Sequence, residues 1–166
     1  MGSTLITVNI PIKPYLKKFL LHHAEKKKEP IRFPNKHDYN ILLWRLVTNY
    51  NSLKYIPTDD KENVIEYFRP SVQSSAAEFV SIILPFNDRK DVRSYNYLSV
   101  NNKKAFRKEV RLDFNFLFSR ALRKGLKEGK QRIEIVQEFK KLYNITEDEL
   151  KDESLYRYSS RLLEEL

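Results

Sequence analysis

The sequence predicts an α+β fold: a small antiparallel sheet covered by helices, with an α-helical C-terminal module. Three observations carry the prediction. Two segments, Leu5 to Ile10 and Glu78 to Leu84, alternate side chains with the period of two that a half-buried strand requires. Apolar residues recur at intervals of three and four after Pro14, after Asn35 and almost continuously from Ser99. The 166 residues are 41% hydrophobic and 13% aromatic, enough for a real core and too apolar for disorder despite 32% charged residues.

The elements follow in order. Ile6, Val8 and Ile10 form one face of a strand at 4–10, which Pro11, lacking an amide donor, is expected to end. Tyr15, Leu16, Phe19, Leu20 and His23 then make the apolar stripe of a helix from Pro14 to Ala24. Two prolines hold Glu29 to Pro34 extended. Asn35 or Asp38 can cap a helix carrying Tyr39, Leu42, Leu43, Leu46 and Val47. Residues 48–62 read as loop and 64–68 as a brief strand. Ser75 and Glu78 have capping-box spacing, but the alternation of Val80, Ile82, Leu84 and Phe86 favours a strand over 78–84. A turn at 87–91 precedes a return strand at 92–97. Ser99 opens the strongest helical pattern, with Phe106, Val110, Phe114, Leu117 and Ala121 inward and a stop supplied by Gly125 and Gly129. Two further helical patterns follow, over Glu134 to Tyr143 and Glu153 to Arg161. Between them Thr146 and Glu149 can cap a turn around a buried Ile145. The division expected is 1–98 as an α+β domain and 99–166 as the helical module, or one compact unit of both.

Composition excludes much chemistry. Without cysteine there is no disulfide, thiolate zinc site, iron–sulfur cluster or thiol nucleophile. Three glycines leave no phosphate-cradling loop. His22, His23 and His37 contain no pair at metal-ligand spacing, and no serine lies in a nucleophile elbow. Asp59, Asp60 and Glu62 could gather a Mg²⁺, although an acidic loop beside Lys61 is the plainer reading. The expectation is a non-enzyme without metal or cofactor. No apolar run approaches the roughly 18 residues of a membrane span. The N-terminus lacks the features of a signal peptide and fits a myristoylation pattern poorly at Ile6. These features predict a soluble, intracellular protein without a membrane partner.

The charge is more informative than its total of +9. Residues 101–132 hold 11 basic and 3 acidic side chains, a net of +8, while 133–166 hold 5 and 9, a net of −4. The stretch 13–28 adds a net of +5 from 6 basic residues and 1 acidic one. Lys104, Arg107, Lys108, Arg111, Arg120, Arg123 and Lys127 therefore read as phosphate contacts, since neutralising phosphates releases condensed counterions. A solvated face that keeps the protein soluble has the same composition. Arg93, Tyr95 and Tyr97 could stack unpaired bases, or pack on a helix. In the last helix, Leu155, Tyr158 and Leu162 would face inward, leaving Tyr156, Arg157 and Arg161 as candidate readers of base edges. The acidic residues from Glu147 to Glu153 oppose that approach, and the tail could instead form a protein interface.

Both ends carry a resemblance. Ile6 to Leu20 (ITVNIPIKPYLKKFL), the PIRFP segment at 30–34, Phe139 to Leu150 (FKKLYNITEDEL) and Leu155 to Tyr158 (LYRY) resemble small basic proteins of bacterial phages and integrated elements. In that family the C-terminal module is taken for a helix-turn-helix. The resemblance implies a phage or mobile-element setting, in the bacterial cytoplasm or a virion, and nucleic-acid binding, to DNA rather than RNA, with a regulatory or replication-support role. The alternative is a structural or assembly component. Its basic face would meet acidic protein or packaged genome, and its tail would contact a second copy or a phage partner.

Overall fold

The computed structural model describes residues 6–47, 78–85 and 97–164. The expected loop at 48–62, strand at 64–68, turn at 87–91 and the return strand up to residue 96 lie outside them. The described elements run β1 (Thr7–Ile12), α1 (Pro14–His23), α2 (Asp38–Leu46), β2 (Glu78–Ile83), α3 (Val100–Lys127), α4 (Arg132–Leu142) and α5 (Asp152–Glu164). A two-stranded antiparallel sheet is covered by five helices, as the sequence patterns predict.

β1 pairs with β2 so that Val8 opposes Ile82, Ile10 opposes Val80 and Pro11 opposes Phe79. Val8, Ile10, Ile12, Val80 and Ile82 form the buried face. Contrary to expectation, Pro11 does not end the strand. The Leu84 amide donates to the Ile6 carbonyl at 2.9 Å. Bonded and non-bonded pairs alternate along an antiparallel ladder, so Pro11 occupies a position whose missing N–H would point away from β2. Its outward carbonyl accepts from Arg107 Nη1 of α3 at 3.2 Å. On the other edge of β2, Ile31 donates to the Ser81 carbonyl at 2.7 Å and accepts from the Ile83 amide at 2.8 Å. The expected extended segment thus docks on the sheet, burying Ile31 and Phe33.

Pro14 starts α1 at a helix position where no amide donor is needed. α2 is capped by His37, whose Nδ1 accepts from the Tyr39 amide at 3.2 Å, and not by Asn35 or Asp38. Ser99 caps α3 as expected, its Oγ accepting from the Asn102 amide at 3.1 Å. The buried line of α3 runs Phe106, Val110, Phe114, Phe118 and Leu122; Leu117 and Ala121, expected inward, are only partly buried. The difference arises where α4 takes over as the packing partner. Phe118 meets Phe139 at 5.2 Å between ring centroids, and Phe114 meets both Phe139 and Phe19 at 5.4 Å. These edge-on aromatic contacts join α1, α3 and α4, and one buried cluster extends from Val8 to Leu155 across both expected domains.

Gly129, with φ of 78°, turns the chain after α3. Gly125, expected to help stop the helix, lies inside it: a Cβ there would sit 2.5 Å from Ile135 Cγ1. It permits close approach of α4. The α4–α5 joint is held by Lys140, whose buried ammonium pairs with Glu147 and Asp152. Burial alone would depress its pKa, but hydrogen bonds to Asp152 and Glu147 outweigh that and raise it. Glu149 accepts from the Thr146 amide at 2.8 Å around the buried Ile145, as the sequence predicts.

Candidate nucleic-acid interface

Helix α3 presents most of the expected site. Lys104, Lys108, Arg111, Arg120, Arg123 and Lys127 are exposed, and none forms an ion pair within the described residues. Some cations elsewhere are paired: Lys17 with Glu29 and Glu78, Lys18 with Glu149, Lys130 with Glu138, Lys140 with Glu147 and Asp152. Lys26, Lys27, Lys28, Lys141 and Lys151 are exposed without an ion pair among the described residues, but are not gathered on one helix. Arg107 differs from its expected companions because its guanidinium is engaged by the Pro11 carbonyl. At 3.6 residues per turn, the cluster 104–111 and the cluster 120–127 lie roughly 120° apart around the axis and about 24 Å apart along it.

The tail contributes unequally. Leu155 and Ser159 form the buried line of α5, flanked by half-buried Tyr156 and Tyr158. Tyr156 lies under the Arg132 guanidinium at 5.5 Å. Arg157 pairs with Glu153 one turn earlier on the exposed face, at 2.5 Å. Arg161 lies 6.0 Å from the centre of the Tyr158 ring. Nine residues, 143–151, separate α4 from α5, more than the turn of about three or four in a helix-turn-helix. Of the three candidate readers, only Arg161 is brought to the α3 cations.

It meets one of them, Arg111, in a cleft of about 500 Å³ between α1, α3 and α5, where Lys13, Arg111, Lys151 and Arg161 face Asp148 and Glu149. Glu149 is neutralised by Lys18 at 2.8 Å. Burial would raise its carboxyl pKa, yet the bonds from Lys18 and Thr146 hold it below the usual range. Tyr15, on the cleft wall, has its phenol pKa raised by burial against the opposing influence of Arg111, so it remains a hydroxyl donor. Asn115 and Tyr158 line this cleft and also a second recess, of about 810 Å³, that carries Phe116, Arg120, Arg123 and Lys127. The two recesses are neighbours that share these two wall residues.

Phe116 was missing from the expected site. A signal for it exists in the sequence: Phe114, Phe116 and Phe118 alternate along a helix. Two residues advance a helix by about 200°, so the middle ring must point away from its neighbours. Arg93 and Tyr95 lie outside the described residues, as do Asp59, Asp60 and Glu62. Tyr97 is half-buried. Among the described residues no cluster of His, Asp or Glu could hold a metal ion, and no helix is long and apolar enough to cross a membrane. No family model, curated protein or solved structure matches the chain.

Proposed function

We propose that this chain is a non-enzymatic DNA-binding protein whose principal contact surface is the solvent side of α3. One observation carries the reading. Several cations around the sheet and the α4–α5 joint pair with carboxylates, whereas a single helix, α3, carries six that are exposed and without an acidic partner among the described residues. Concentrating like charge on one helix is destabilising through self-repulsion, and a polyanion relieves it. Lys104, Lys108, Arg111, Arg120, Arg123 and Lys127 would contact phosphates, joined by Arg161. Arg107, Tyr156 and Arg157 have structural partners and contribute less. The setting proposed, a phage or integrated element with a regulatory or replication-support role, rests on the resemblance of the two ends. A salt series of gel shifts against duplex and single-stranded DNA tests the binding. Affinity should fall steeply with salt, and absence of binding to either form at low salt would overturn the reading. A higher oligomer in solution with no shifted DNA would point instead to the assembly component.

A further inference from the structure

Phosphate contacts alone leave Phe116 unexplained. Phe116 is 65% exposed and Leu112, one turn before it, 49%, so the two together present contiguous apolar surface among the cations of α3. Phe116, Arg120, Arg123 and Lys127 follow at spacings of four, three and four, so they share one stripe of α3. The cationic cleft of Lys13, Arg111 and Arg161 adjoins the recess of this stripe, with Tyr158 and Asn115 lining both. Aromatic and cationic groups thus alternate along one path that winds around the helix. A rigid duplex laid on either cluster turns away from the other, and its stacked bases have no face to offer Phe116. A single strand can follow the winding path, and every unpaired base has a π-face.

We propose that this path binds single-stranded DNA: a base stacks on Phe116, Arg120, Arg123 and Lys127 hold the flanking phosphates, and the strand continues past Tyr158 to Arg111 and Arg161. The inference rests on the DNA-binding reading above and names its substrate class. Glu149 does not obstruct the cleft, being neutralised by Lys18.

The test is fluorescence anisotropy of the full chain with a labelled oligothymidylate of about 15 nucleotides, within the range of known single-strand sites, and with a duplex of equal length. Phe116→Ala should weaken the single strand about 5- to 150-fold, the range for loss of one stacked base, and leave the duplex nearly unchanged. Phe116→Tyr should restore most of the loss, because the stacking face is kept. If the wild-type chain binds DNA but Phe116→Ala changes nothing, or weakens both forms equally, the single-strand path is overturned and the DNA-binding reading stands. If the wild-type chain binds neither form at low salt, both fall. Binding of an acidic helical peptide at Phe116 in place of the strand would overturn the path in favour of a protein partner.

Discussion

Removing Arg120, Arg123 and Lys127 together tests whether the unpaired charge of α3 meets phosphate. All three are exposed and without ion pairs among the described residues, so the triple alanine variant should fold as the parent does. Each lost contact to a single strand flattens the slope of log affinity against log salt by about 0.7, so three flatten it by about 2. Between 50 and 200 mM salt, the parent's affinity should then fall about 18-fold further than the variant's. Anisotropy titrations at four or five salt concentrations measure this directly. Arg157→Ala is the control: its guanidinium pairs with Glu153 on the exposed face of α5, and the slope should not change. A triple variant with the parental slope would refute the placement of phosphate on this stripe. An equal flattening by Arg157→Ala would show only a response to net charge.

Other expectations concern the joints that present the interface. Lys140→Met leaves Glu147 and Asp152 without their shared cation; because both carboxylates stay partly solvated, the loss should be about 2 kcal/mol, below that of a fully buried pair. That corresponds to a melting temperature lower by about 4–8 °C in calorimetry. Gly125→Ala should destabilise by about 1 kcal/mol net in urea titration, since crowding against Ile135 exceeds the helix propensity gained; adding Ile135→Val should recover part of it. His23 is held below its ordinary pKa of 6.5 by burial first, then by the neighbouring His37 and His22, against a pull from Asp113. Its folded pKa is depressed, so the unfolded chain takes up the proton first and stability, full above about 6.5, declines as pH falls below it. The urea midpoint should therefore fall between pH 7.5 and 5, and His23→Phe should lessen that fall.

What the sequence makes legible divides by range. Val8 and Ile10, and Val80 and Ile82, announce their strands because one face of the sheet is buried and period two follows from that alone. The helices announce themselves for the same reason. Pro11 misleads because propensity knows that its donor is missing but not which edge of the strand that donor would have faced. Gly125 misleads because a glycine near a helix end is usually a stop, whereas here Ile135 of the next helix needs the space. Lys140 reads as one more surface cation until Glu147 and Asp152 are folded against it.

The site divides in the same way, and the division bears on its chemistry. Counting charges finds a basic helix but cannot separate cations that build the fold from those left over. Arg107 and Arg111 are one turn apart on α3, yet the first is engaged by β1 and the second faces the α5 cleft. Arg157 and Arg161 are one turn apart on α5, yet only the second reaches that cleft. In the first pair a tertiary partner takes one arginine, in the second a carboxylate of the same helix does, and each leaves the other. The residues so left, together with Phe116, describe a path rather than a patch. Within the proposed reading, that shape favours a strand that bends along two helices over a duplex read by a presented one.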